Sequence, residues 1–395
     1  MSLDVTRIRQ EMQIKEGMIH FNNAGGSIMP TCVLDAQLSY LKLEAEIGGY
    51  EATDRYRSKI DATYHSIARL LNCSADEVAI VENATVAWSM AFYGIDFQAG
   101  DRILCGEAEY GSNYLAFLHL RDQKGISIDV IPQVETGELD LIALEGMIDD
   151  RVKLISLTHV PSNSGQVNPV KEVGKIARKN NILYLVDACQ SAGQMPLDVE
   201  EIHCDMLSAT SRKYLRGPRG MGFLYVRSSV IKKLLPPIID LRSAELEGPD
   251  KYKLVPTAKR FENWENNYAA LVGFKVAIDY ALDLGLENIQ ARVQQLASDL
   301  RSKLSEIDQL TLHGHLDNMC GIVTFYIEGF EAEEVVSHMR EQGINLSTSY
   351  RVSTPINAEA EQLPNLIRAS VHYFNLEAET DRLVQALHQM IAAKG

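Results

Sequence analysis

Residues 182–193 read ILYLVDACQSAG, an unbroken apolar run that stops at a single aspartate, Asp187. A run that is apolar on both faces fits a strand buried on both sides, as in parallel sheets covered by helices. Working outward, similar runs recur at EVAIVE (77–82), RILCGE (102–107), ISIDVIP (126–132), KLISLTH (153–159), DMLSAT (205–210) and GFLYVR (222–227). Between them lie segments such as NPVKEVGKIARKNN (168–181), apolar on one helical face and charged on the other. This alternation predicts an α/β fold with a large domain built on a mostly parallel central sheet. Ligands of such sheets bind beyond the carboxyl ends of the strands, so the residues that follow each run are the candidates for chemistry.

After residue 265 the pattern changes. A long helical stretch beginning at Asn267 leads to GIVTFYIEG (321–329), EEVVSHMREQGINLS (333–347), LIRASVHYF (366–374) and EAETDRLVQALHQMIAAK (377–394). These read as strand, helix, strand and helix, a small C-terminal α+β domain. The expected boundaries are an N-terminal segment at 1–20 packing with the small domain, a large domain at 21–265, a connecting helix at 266–290 and the small domain at 291–395.

The 395 residues are 46% hydrophobic and 23% charged, ordinary for a globular enzyme, and exceed what one simple core needs. A net charge of −15 would repel phosphate backbones, so no nucleic-acid partner is expected. No run approaches the roughly 20 apolar residues of a membrane span, and no apolar signal core follows the charged N-terminus. A cytoplasmic location without membrane association is expected. The six cysteines are scattered with no C-x-x-C pair, and neither H-E-x-x-H, G-x-x-x-x-G-K-[ST] nor G-x-S-x-G occurs. No metal site is expected.

The strand ends supply a coherent list. EVAIVE is followed by NATVAW, with Ala84 and Thr85 at a helix start, where free N–H groups and a hydroxyl suit a phosphate. RILCGE is followed by Tyr110, KLISLTH by Asn163, ILYLV by Asp187 and Gln190, and DMLSA by Thr210, Arg212 and Lys213. Singly, each has a plain structural reading: Thr85 and Asp187 as helix caps, Tyr110 as a packing aromatic, Arg212 and Lys213 as a solvated pair. Together they fit pyridoxal phosphate. That cofactor needs a lysine to form a Schiff base with its aldehyde and a carboxylate to keep its pyridine nitrogen protonated. Lys213 and Asp187 fill these roles. Ala84, Thr85, Thr210 and Arg212 suit the phosphate, Tyr110 the ring face and Gln190 the phenolic oxygen, with Asn163 a further contact to cofactor and substrate.

At LYLVDACQSAG (183–193) and ATSRKYLRGPRGMGFLYV (209–226) the sequence resembles the class V aminotransferase family of fold-type I pyridoxal-phosphate enzymes. This family includes cysteine desulfurases, cystine and cysteine-conjugate C–S lyases and isopenicillin N epimerase. The resemblance runs from FNNAGGSIMP (21–30) to RASVHYFNLEAETDRLVQAL (368–387). It implies that Arg368 holds the α-carboxylate of an amino-acid substrate, that Gly25 and Gly26 approach that substrate closely, and that the chain forms a homodimer. Arg212 stands where the family usually has histidine, and Glu265 where many relatives have a partner-subunit hydroxyl for the phosphate. Glu265 is therefore expected to turn toward an arginine or lysine.

Desulfurases of this family carry a nucleophilic cysteine on a loop before the arginine-bearing strand. Here that loop, STSYRVSTPINAEAEQ (347–362), has none, so desulfuration through a persulfide is not expected. The segment THVPSNSGQVNP (158–169) resembles the C–S lyase branch, although Ser347 stands where cystine lyases have arginine and only Arg351 is nearby to replace it. The expected reaction is β-elimination from a cysteine derivative, with Lys213 as the base and Tyr110 as a candidate acid. Aminotransfer, epimerisation and a non-catalytic scaffold remain open alternatives.

Overall fold

In the structure, a computed structural model that describes residues 3–314 and 318–394, the apolar runs form one seven-stranded sheet. Its strands are β1 (Val78–Val81), β2 (Arg102–Gly106), β3 (Ser127–Ile131), β4 (Val152–Thr158), β5 (Leu183–Asp187), β6 (Met206–Thr210) and β7 (Gly222–Val226). They lie in the order β1-β7-β6-β5-β4-β2-β3. Only β7 runs against its neighbours, pairing antiparallel with β6 and β1. Successive residues feed opposite faces: Phe223 and Tyr225 join one apolar cluster, Leu224 and Val226 the other. Two covered faces explain why these strands read as continuous apolar runs.

The helices that position the site are α1 (Ala84–Phe92), α2 (Gly111–Lys124) and α3 (Val170–Lys179). In α3 the buried residues are Val170, Val173, Gly174 and Ala177, the spacing of a single helical face. The long helical stretch after residue 267 is two helices, α4 (Tyr268–Leu284) and α5 (Leu286–Leu304). Gly285, at φ 82°, closes the first and begins the second, a backbone state glycine adopts at no steric cost.

The C-terminal part holds a four-stranded antiparallel sheet, β8 (Leu310–His313), β9 (Ile322–Ile327), β10 (Ser347–Ser349) and β11 (Leu366–Ser370), in the order β8-β9-β11-β10. Strand β10 falls in a segment read from sequence as the end of a helix and a loop. The N-terminal segment reaches both parts. Ile8 and Met12 join the large-sheet core, while Ile19–His20 pair in parallel with Ile344–Asn345. Among the described residues no helix is long and apolar enough to cross a membrane.

Candidate active site

A cavity of about 430 Å³ opens at the carboxyl ends of β4, β5 and β6, within the roughly 300–1,000 Å³ of small-molecule sites. Four local devices build it. At the start of α1, Asn83 caps the helix by accepting the Val86 N–H (3.0 Å), which leaves the N–H groups of Ala84 and Thr85 in the first turn. Gly222 of β7 lies directly beneath; a Cβ there would come 2.7 Å from the Asn83 carbonyl carbon and 2.9 Å from the Ala84 nitrogen. At the end of β5, the Asp187 carboxylate accepts from the Cys189 N–H (2.9 Å) and from Asn113 Nδ2 (3.1 Å), which fixes both oxygens. After β6, the chain turns through Lys213, with Arg216 N–H bonded to the Lys213 carbonyl (2.9 Å) and Gly217 N–H to that of Ser211 (2.9 Å).

Two residues that sequence reasoning passed over hold this lysine turn. Arg216 is fully buried at φ 58°; it donates to Tyr373 Oη (2.7 Å) and the Ile28 carbonyl (2.8 Å) and lies over the Phe374 ring. Gly193, at φ 93°, packs its Cα against the Tyr214–Leu215 peptide, where a Cβ would stand 2.5 Å from the Leu215 nitrogen. Gly193→Ala is therefore expected to lower stability by about 2–4 kcal/mol, from the positive φ and the backbone clash together. It should also displace Lys213. Urea denaturation reads the first effect and cofactor affinity the second.

The electrostatics favour a reactive amine and bound anions. Burial lowers the pKa of Lys213, and the nearby Arg212 and Arg368 guanidinia push it down further, against the pull of Asp187. Arg368, on β11, is buried; its Nη1 donates to the Ser162 carbonyl at 3.3 Å, while its Nε has no hydrogen-bond partner among the described residues. Across the sheet Arg368 faces Ser347 on one side and Thr324 on the other. Gln190 Nε2 donates to the Ala24 carbonyl (3.2 Å), and its buried Oε1 has no partner among the described residues. Arg212 donates to the Gly25 carbonyl, which draws the Gly25–Gly26 segment over the site.

Of the residues singled out from sequence, Ala84, Thr85, Tyr110, Asp187, Gln190, Thr210, Arg212 and Lys213 all line this one cavity. Asn163 does not. Its amide turns away to Asn357 (2.7 Å), and Ser162, one residue earlier, lines the cavity instead. The physical reason is the turn after β4. There the Gly165 N–H bonds back to Pro161 and Gly165 adopts φ 74°, rotating Asn163 toward the small sheet, where Thr324 donates to its carbonyl. Gly25, Gly26 and Arg368 stand behind the lining through the contacts described. Sequence reading also missed Cys189, the one cysteine among the lining residues, its thiol pushed well up by burial.

The loop without cysteine, 347–362, rests on the site. Its Asn357 receives the Asn163 amide, and the Val352 carbonyl packs against Gly111, the residue after Tyr110. Glu265 lies elsewhere, in a second cavity of about 660 Å³ that it lines with Arg57, Arg242, Tyr50 and Trp264.

A sequence model of the family Aminotransferase class-V matches residues 19–383. The chain belongs to that family. A probable cysteine desulfurase of Methanothermobacter thermautotrophicus is 28% identical over 389 residues, covering 97% of each chain. The apo structure of a cysteine desulfurase from Thermococcus onnurineus superposes with a TM-score of 0.93 at 25% identity, over 100% of this chain and 99% of that one. A cystine C–S lyase solved with its product cysteine persulfide has the same fold, with a TM-score of 0.85 at 24% identity over 94% and 97% of the two chains.

Family membership makes this a pyridoxal-phosphate-dependent enzyme. The donor set fits that cofactor. The first-turn N–H groups of α1 and the Thr85 and Thr210 hydroxyls suit its phosphate, and the anchored Asp187 carboxylate its pyridine nitrogen. Gln190 Oε1 and Arg368 Nε, buried and without a partner among the described residues, are polar atoms that a bound cofactor and a substrate carboxylate could satisfy.

Proposed function

We propose that the enzyme cleaves the Cβ–S bond of a cysteine derivative by β-elimination, giving pyruvate, ammonia and the released thiol with uptake of one water. The observation that carries this reading is a cavity that joins a pKa-lowered lysine to an anchored carboxylate beneath a loop without cysteine. The named relatives, cysteine desulfurases and a cystine C–S lyase, support a sulfur amino acid as substrate.

When bound, pyridoxal phosphate supplies a conjugated acceptor for the electrons left at Cα. Lys213 then acts as the base that takes the Cα proton, its pKa lowered by burial, with Arg212 and Arg368 adding to the shift and Asp187 opposing it. Arg368 binds the substrate carboxylate through a charge-assisted pair and so sets which Cα bond stands across the ring. Asp187 holds the proton on the pyridine nitrogen, Tyr110 covers the ring face, and Arg212, Thr85 and Thr210 hold the phosphate. The enzyme works as a homodimer in this reading. The exposed Tyr50 (75%), Leu241 (69%) and Trp264 (53%) supply apolar surface for a second copy. The reading extends to a cytoplasmic location, supported by six cysteines that are all free thiols.

The test is product analysis of the purified, cofactor-loaded enzyme with L-cysteine and its S-conjugates. Pyruvate and ammonia in equal amounts, with the thiol, are expected. Alanine in place of pyruvate would make the enzyme a desulfurase; bleaching of the visible band with neither product would indicate aminotransfer.

A further inference from the structure

Behind Asp187 lies a second carboxylate for which the proposed chemistry has no use. Glu109 follows β2 at the approach to α2 and is 1% exposed. Its Oε1 accepts from Asn113 Nδ2 (2.7 Å), from the Thr158 hydroxyl (2.7 Å) and from the Tyr110 N–H (3.2 Å). Its Oε2 is buried and meets no donor among the described residues. Asn113 Nδ2 gives its other hydrogen to Asp187 Oδ2 at 3.1 Å. One amide nitrogen thus serves two carboxylates, with both hydrogens in use.

We propose that Glu109 is a positioning residue that clamps Asn113 onto Asp187 and Tyr110 onto the cavity wall, so that the groups meeting the pyridine nitrogen and the ring face are set by one buried side chain. The inference rests on the reading of Asp187 as the partner of that nitrogen. Three features carry it. Asp187 Oδ2 has Asn113 as its donor, and that amide is aimed correctly only while Glu109 accepts its first hydrogen. Thr158 and Tyr110, the other two donors to Glu109, both line the cavity. Among the described residues no cation pairs with Glu109, which sets it apart from half of a structural ion pair.

The arrangement of donors also says where a proton sits. Oε1 takes three donors and Oε2 none, so Oε2 is the oxygen that carries hydrogen when the group is neutral. Burial pushes the Glu109 carboxyl up to about 7, with Asp187 adding to the rise and the hydrogen bonds from Asn113 and Thr158 opposing it. The titratable groups facing it are Asp187 and Tyr184 from β5 and Cys105 from β2, and burial holds the phenol and the thiol protonated. Glu109 therefore exchanges its proton in the neutral range, beside one other carboxylate.

The experiment uses purified full-length enzyme and pyridoxal phosphate, and compares Glu109→Gln, Glu109→Ala and Asn113→Ala with the parent. Readouts are the cofactor dissociation constant, the pH midpoint of the visible band, and kcat and KM separately. Glu109→Gln keeps an acceptor at Oε1 and should hold cofactor affinity within about threefold while moving the pH midpoint. Glu109→Ala and Asn113→Ala should each weaken cofactor binding by about tenfold or more and lower kcat with little change in KM, and the double variant should do no worse than either single one. If Asn113→Ala binds cofactor as the parent does, the proposal is overturned even should Glu109→Ala fail to fold. Unchanged affinity and midpoint in a folded Glu109→Ala overturn it equally. A parent protein that binds no cofactor would instead remove the underlying reading of Asp187, an outcome distinct from both.

Discussion

Lys213→Ala is expected to leave a folded protein whose turnover falls by about 10⁴-fold, the upper range for loss of a positioned acid–base group. Lys213 sits on a turn held from three sides: by Arg216 against Tyr373 and Phe374, by Gly193 beneath the Tyr214–Leu215 peptide, and by the Gly217–Ser211 hydrogen bond. None of these contacts uses the lysine side chain, so the turn should survive its removal. Burying an ammonium is unfavourable, and the lowered pKa records that burden, so the variant should unfold in urea no earlier than the parent. Cofactor can still bind through α1, Thr210 and Asp187, but without covalent attachment. The visible band should therefore shift and the cofactor should wash out on gel filtration. Lys213→Arg keeps the charge without a reactive amine and should be as inactive. Turnover within tenfold of the parent in either variant would refute the assignment of Lys213.

The positions of the strands along the chain were legible because both faces of the large sheet are covered, which produces continuous apolar runs; their order in the sheet was not. The eight sequence-selected residues that line the cavity share one property: each ends a strand, follows one or starts a helix, where backbone position largely determines location. Other placements depend on tertiary structure. Asn163 and Ser162 are neighbours in a turn, and which of them faces the cavity depends on the rotation imposed by Gly165, which carries no periodic signal. Arg216 lies in the left-handed region and inside the core, two states a sequence pattern assigns to other residue types. The long stretch after residue 267 reads as one helix because helical periodicity continues on both sides of Gly285 and masks the break there. Strand β10 is three small polar residues, and only its pairing with β11 makes it a strand. Glu109 and Asn113 sit four apart, a spacing that suggests contact on a helix, yet nothing in the sequence says that Asn113 also reaches Asp187.

Asp187→Asn is the sharpest probe of the other half of the site, because it changes charge and hydrogen-bond polarity without changing shape. Both Asp187 oxygens now accept, one from the Cys189 N–H and one from the Asn113 amide. A side-chain amide offers one oxygen, so whichever way it lies its NH₂ must face one of these donors. That conflict should lower stability by about 1–3 kcal/mol, the penalty of a buried unsatisfied donor. The chemical loss should be larger in its effect on rate. A neutral amide no longer favours the proton on the pyridine nitrogen, and turnover should drop about 10²–10³-fold, comparable to removing one preorganised group from a transition-state site. The two effects separate by measurement: urea denaturation reports the donor conflict, while kcat at saturating cofactor reports the lost charge. Asp187→Ala should relieve the donor conflict only in part and recover no activity. A folded Asp187→Asn enzyme with parental kcat would show that the nitrogen is protonated without this carboxylate, and the clamp from Glu109 through Asn113 would then be holding a structural residue.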